Sequence, residues 1–276
     1  IVFTGSSVMR LKEENPELNN IVKSYNLRGF SFREFLNLKT GNHFRPYTLD
    51  EILRNHERIV KDILPKVSPL SFFQDYLHHG FYPFFQEQRN YSENLLKTMN
   101  MVTEVDILLI KQIELKYLTK IKKLFYLLAL EGNKAPNVSW LAQEIETSRA
   151  TVMNYIKYLA DARLINMIYP KGCEFPKKPS KVMMHNTNLM YAIYPIAVKR
   201  QDVMETFFVN TMWKDHNVNQ GAKDDFYLVD GSLKFKICNA NDFEKKKFRQ
   251  DTIYARYNTE VGKDNLIPLW LLGFLY

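Results

Sequence analysis

The sequence predicts an α-rich multidomain protein, α plus α/β, and three observations carry that reading. Several hydroxyl-x-x-acid or amide signatures open stretches with helical apolar spacing. A helix, a polar turn, a second helix and two short β-branched runs follow one another over residues 137–185. After residue 200 a helical stretch gives way to short strand-like runs, the pattern of a small α/β unit.

The 276 residues are enough for about two domains. With 46% hydrophobic residues the chain can bury real cores, which excludes wholesale disorder. Cys173 and Cys238 are too few for a disulfide scaffold and share no metal-ligand spacing, so reduced thiols in a cytosol are expected. No apolar run approaches the roughly 20 residues that span a bilayer, so no membrane is expected. A net charge of +8 permits nucleic-acid binding without requiring it.

In order along the chain, Ile1 to Thr4 is a β-branched run without an initiator Met, and reads as the end of a buried parallel strand. Ser31–Glu34, Thr48–Glu51 and Ser71–Gln74 each match a capping box, in which hydroxyl and acid or amide satisfy each other's free backbone amides. Ile52, Ile59, Ile63 and Leu64 give the second of these helices its buried face, and Pro65 ends it. The third stops at Gly80, within an aromatic group (Phe81, Tyr82, Phe84, Phe85) that suits a packed interior better than base stacking. Tyr91 to Leu118 is expected as helix, and Thr119 to Glu131 as the next one.

Residues 137–185 then read as a winged helix-turn-helix. Leu141, Ala142 and Ile145 line the first helix, Ser148 caps the second, and Val152, Tyr155, Ile156 and Leu159 form its buried side. Ile165–Tyr169 and Lys181–His185 are the strands of the wing, with a Pro/Gly/Lys-rich loop between them. Gln201–Trp213 is a helix carrying Glu205. Phe226–Val229, Leu233–Cys238 and Leu266–Tyr276 are expected strands, and Phe243–Tyr257 a basic helix.

Taken together, FTGSS (Phe3–Ser7), LRGFSFREFL (Leu27–Leu36), YLHHGFYP (Tyr76–Pro83), the winged segment, METFFVN (Met204–Asn210) and IPLWLLGFLY (Ile267–Tyr276) resemble a prokaryotic family. That family comprises AAA+-type ATPases with a winged helix and a restriction-endonuclease-like C-terminal domain of unknown function. The resemblance implies four parts: residues 1–40 as the tail of an AAA+-like nucleotide-binding domain, 41–118 as a helical lid or linker, 119–186 as the winged helix, and 187–276 as a degenerate endonuclease-like α/β domain. It implies a γ-phosphate sensor at Ser6 or Ser7. It also places nuclease acids at Glu205, Asp225 and the position held here by Lys236.

The sequence lacks the family's catalytic parts. A P-loop needs G-x-x-x-x-G-K-[ST], and the only Gly-Lys pair, Gly262-Lys263, has neither the earlier glycine nor a following hydroxyl. A lysine at position 236 repels the Mg²⁺ that a nuclease would hold there. No catalytic residue, metal or cofactor is therefore expected for this chain; ATP and Mg²⁺ belong to a full-length family member. The alternative is an ATPase whose P-loop region is supplied upstream. For DNA, the outward face of the second helix offers Arg149 near its N-terminus, Asn154 for adenine, and Lys157, while Lys177, Lys178 and Lys181 in the wing would hold phosphates. The expected role is a cytoplasmic module that binds duplex DNA or a protein partner. The histidines decide little: His78 and His79 are adjacent and point about 100° apart on a helix.

Overall fold

The structure, a computed structural model, describes residues 17, 21, 23, 27–87, 90–107, 113–196, 198–221, 226–239 and 249–276. Helices dominate, and the strands form a two-stranded and a five-stranded sheet. Among the described residues no helix is long and apolar enough to cross a membrane.

Helix α1 (Phe32–Thr40) opens on Ser31, whose hydroxyl accepts from the Glu34 amide while the Glu34 carboxylate accepts from the Ser31 amide. Gly41 closes it in the left-handed conformation, where a Cβ would be strained. Helix α2 (Leu49–Ile63) repeats the device with Thr48 and Glu51, and buries Ile52, His56, Ile59 and Ile63. The box expected at Ser71 does not form. Helix α3 (Pro69–Asp75) starts earlier, because Pro69 has the right fixed φ and no amide to satisfy, which leaves Ser71 inside the helix. It runs on through one π turn, Tyr76–Gly80.

Helix α4 (Tyr91–Met101) passes into a second π turn at Val102–Ile107. The continuous helix expected to Leu118 is thus interrupted, since residues 113 and 114 are non-helical and a 3₁₀ turn at Leu115–Tyr117 leads into the next helix. Helix α5 (Leu118–Glu131) is followed by α6 (Val138–Glu144), capped by Asn137, and α7 (Arg149–Asp161), capped by Ser148. Between α6 and α7 the chain turns at Glu146, a non-glycine residue with φ of 50°. Strands β1 (Ile165–Ile168) and β2 (Lys181–Met184) pair antiparallel, from Ile165 opposite Met184 to Ile168 opposite Lys181.

After α8 (Thr187–Ile193) comes α9 (Arg200–Met212), in which every residue from Val203 to Met212 is buried. A helix enclosed on all sides is a core element, and the five-stranded sheet packs on it. The sheet runs β3 (Val218–Gln220), β4 (Phe226–Val229), β5 (Leu233–Cys238), β6 (Thr252–Arg256), β7 (Leu266–Pro268) in spatial order. The first two pairings are antiparallel and the last two parallel.

Two expectations fail here. Residues 252–256, assigned to a basic helix, form β6, as their β-branched and aromatic side chains suit a half-buried pleat; residues 243–248 lie outside the described residues. The terminal strand ends at Pro268, which has no amide for a ladder, and Leu269–Phe274 winds on as a buried 3₁₀ helix. A continuous apolar run cannot be told apart as strand or helix by periodicity alone.

That 3₁₀ segment packs against α1 and α2. Phe274 lies against Phe32 and Phe44 at 6.3 and 5.8 Å between ring centroids, and Tyr47 donates its amide to the Phe274 carbonyl. Phe73 meets Phe207 of α9 edge-on at 4.9 Å. One cluster of buried apolar side chains draws on α1 to α7, both sheets and the terminal segment, so the four expected parts share an interior. The aromatic group after Gly80 joins it: Phe85 packs on Phe30 and Phe35, and Phe81 on Tyr82. Phe32→Ala should therefore cost about 3–5 kcal/mol. Urea denaturation followed by fluorescence and by circular dichroism should still show a single transition; separate unfolding of residues 187–276 would show that the interior is not shared.

Candidate functional site

The face of α7 turned away from its core stripe is the first place to look. Val152, Tyr155, Ile156 and Leu159 are buried against the protein, which leaves Arg149, Ala150 and Asn154 exposed and Met153 and Lys157 half-buried. Arg149 and Asn154 make no side-chain hydrogen bond or ion pair among the described residues, and both are free to meet a ligand. Lys157 is different, because Asp161 one turn on holds its ammonium in an ion pair. On the hairpin loop, Lys177 and Lys178 are exposed. The Lys177 ammonium lies 3.9 Å from Cys173 Sγ, and Lys171 donates to the Gly231 carbonyl at 3.2 Å.

Lys181 is not on that surface. All four residues of β2 are buried, and the Lys181 side chain runs inward to α9. Its Nζ lies 2.8 Å from Glu205 Oε2 and 3.1 Å from Tyr227 Oη, and the Tyr227 hydroxyl donates to the same carboxylate oxygen. The other oxygen, Oε1, accepts from Gln201 Nε2 at 3.0 Å. The expected phosphate contact from Lys181 is therefore corrected: a strand covered on both faces leaves its charge only an internal partner.

The same geometry redefines Glu205. Its charge is met at contact distance by an ammonium that is itself only 8% exposed, so a divalent cation would have to displace a buried lysine to use it. The burial shows in the neighbours: the Tyr227 hydroxyl is held well above its ordinary pKa, first by burial and then by the Glu205 charge. Asp202, one turn before, has its carboxyl pushed up by burial and by Glu205. Lys236 on β5 is half-buried, with its ammonium 5.1 Å from the centre of the Phe226 ring. Asp225, Ser6 and Ser7 lie outside the described residues. Among those described, no three His, Cys, Asp or Glu residues converge to hold a metal.

The sequence pointed to Glu205 only through the family resemblance, and carried no signal for its partner 24 residues earlier. It had no signal at all for His185. That imidazole is half-buried with Nδ1 3.1 Å from Asn166 Oδ1, and its pKa is driven down to about 3 by desolvation and by the charges of Arg28 and Arg163. The remaining histidines have local partners. His78 stacks on Tyr191 at 3.5 Å, His79 meets Asp75, His56 contacts the Asp264 carbonyl and His216 pairs with Asp230, with the exposed His43 as the exception.

Comparison with known proteins adds two matches. Residues 71–200 match a family model described as "Domain of unknown function (DUF8612)". The chain is also similar to "Uncharacterized protein MJ1637" of Methanocaldococcus jannaschii, 28% identical over 178 residues, or 62% of this chain. That match spans 37% of the archaeal protein's length. No solved structure matches. The region matched by the family model runs from α3 to the start of α9 and holds α7, both hairpin strands, Lys181 and His185, but stops short of Glu205.

Two outcomes follow from the buried groups. Lys181→Met strands the Glu205 carboxylate in the interior and should cost about 3–5 kcal/mol in urea denaturation at pH 7. Adding Glu205→Gln should recover most of that loss; equal stabilities of the single and double variants would deny the pair its role. For His185, the native imidazole stays neutral while the unfolded one takes up a proton below its ordinary 6.5. Stability is thus intact above pH 6.5 and falls as pH drops toward about 3, by about 2 kcal/mol at pH 5 from this group alone. His185→Gln should lose correspondingly less stability than wild type between pH 7 and pH 5.

Proposed function

We propose that residues 119–186 form a winged helix and that α7 and the hairpin loop carry it onto duplex DNA. The supporting observation is the unpartnered, exposed pair Arg149 and Asn154 on the first turns of a helix whose opposite face is buried. A guanidinium at a helix N-terminus suits a phosphate, and an amide five residues on suits a base edge in the major groove. Lys177 and Lys178 on the exposed loop suit the flanking backbone. On this reading the surrounding helices and sheet are a partial AAA+-like segment and a degenerate endonuclease-like domain in a cytoplasmic protein. The chain alone hydrolyses no ATP, because its sequence contains no P-loop. In a longer protein that supplies one upstream, the same module would serve an ATPase.

A protein partner is the competing occupant, and the ion pair that ties Lys157 to Asp161 favours it by thinning the positive surface. A salt titration separates the two. Fluorescence anisotropy with a duplex of about 20 base pairs should give a steep loss of affinity with salt, the logarithmic slope falling by roughly 0.9 for each phosphate contact removed. Lys177→Ala with Lys178→Ala should lower that slope, and Arg149→Ala or Asn154→Ala should weaken binding about tenfold, the value of one good contact. A flat salt dependence with no effect of these substitutions would assign α7 to protein docking instead.

A further inference from the structure

A second positive site lies at the C-terminal end of the helix that carries the proposed DNA contact. An open cavity of about 190 Å³ is lined by the Leu27–Gly29 segment, the end of α4, the turn after α7 and His185. Its lining contains Arg28 and Arg163 and, among the described residues, no carboxylate. Neither guanidinium has an ion-pair partner among those residues, and Arg28 Nη1 is fully covered with no hydrogen-bond acceptor. Covering a guanidinium nitrogen without an acceptor is unfavourable, and placing a second guanidinium on the same cavity makes it more so. The larger cleft that Arg28 also borders is different in kind. It sets Glu34, Asp50, Glu51 and Asp215 beside Arg28, Arg33, Arg45 and Lys214, so its charges balance.

The backbone at Arg163 adds an independent mark. After α7 the chain turns through a left-handed residue, with the Leu164 amide donating to the Leu159 carbonyl and the Arg163 amide to that of Ala160. Glycine is the low-energy residue for such a turn, yet the position holds an arginine at φ 58°. Backbone strain of this kind is found where a side chain is needed in place. Gly29 fixes the other arginine: a Cβ there would lie 2.4 Å from the Phe81 carbonyl oxygen, so the segment is pressed against the aromatic turn. His185 registers both charges, since Arg28 and Arg163 each lower its pKa.

We propose that the cavity between Arg28 and Arg163 binds a small phosphate-type oxyanion. Two guanidinium forks match the geometry of a tetrahedral oxyanion, each offering a pair of parallel donors. The volume is below the 300–1,000 Å³ usual for drug-sized ligands, which suits a phosphate group and excludes a whole nucleotide. The anion would bridge the Leu27–Gly29 segment to the end of α7, and so couple its own binding to the position of that helix.

Arg163→Gly is the informative variant, because it removes the guanidinium while relieving the left-handed backbone. The intact chain is titrated with inorganic phosphate at constant ionic strength, with chloride as the balancing anion, by calorimetry and by thermal melting. Wild type should show saturable binding and a rising melting temperature. Arg163→Gly should melt at or above the wild-type temperature in chloride, yet bind phosphate at least about tenfold more weakly. Arg28→Gln should lose binding to a similar degree. Glycerol phosphate as a second probe tells a phosphomonoester site (tighter than phosphate) from a free-phosphate site (weaker). Absence of saturable binding to wild type, or undiminished binding in both variants, would overturn the proposal. A chloride melting temperature for Arg163→Gly well below wild type, without any phosphate response in wild type, would show the arginine satisfied within the protein.

Discussion

The ion pair between Lys181 and Glu205 is the constraint on which the arrangement of the whole molecule rests. Two opposite charges lie inside a protein interior, where each alone would be several kcal/mol too unfavourable to keep. Each is tolerable only because the other is there, with Tyr227 and Gln201 occupying the remaining donor and acceptor positions. This joins three elements far apart in sequence: strand β2, helix α9 and strand β4. The hairpin is held at its other side too, where the Gln220 amide donates to the Tyr169 carbonyl and Val182 bridges to Lys134. A hairpin secured in this way presents only its loop, near Lys177 and Lys178, to anything outside.

The consequences for function run through the same pair. The acid that the resemblance assigns to a metal site is occupied, and the lysine expected to hold a phosphate is removed from the surface. What stays at the surface is the outward side of α7, where the buried stripe from Val152 to Leu159 fixes the helix and turns Arg149 and Asn154 away from it. Of the positions singled out in the linear sequence, Lys181 and Glu205 turn inward onto each other, while Arg149, Asn154, Lys177 and Lys178 stay exposed.

Local chemistry was legible in the sequence and long-range chemistry was not. The capping boxes at Ser31 and Thr48 could be read because donor and acceptor lie three residues apart. At Ser71 the same pattern misled, since Pro69 starts the helix by a stronger device. Helical spacing gave the buried side of α7 correctly, residue by residue. Strand β2 offered no such guide: with all four residues buried there is no alternation, and a lysine at its start reads as solvent-facing. Likewise nothing in the sequence links Arg163, just after a helix end, to Arg28. The terminal run from Ile267 was recognised as buried, but its 3₁₀ winding follows from a proline and from the helices it wedges between.

The enclosure of α9 bears on how this protein can be taken apart. A boundary drawn after the hairpin, where a helix-turn-helix unit would ordinarily be excised, passes between Lys181 and Glu205. The N-terminal piece would carry a bare ammonium and an uncovered apolar strand into water, and the C-terminal piece an unpaired acid on an apolar helix. Each fragment would tend to aggregate or to seek the other. Complementation of the two halves in trans is thus a more natural experiment on this molecule than study of either alone.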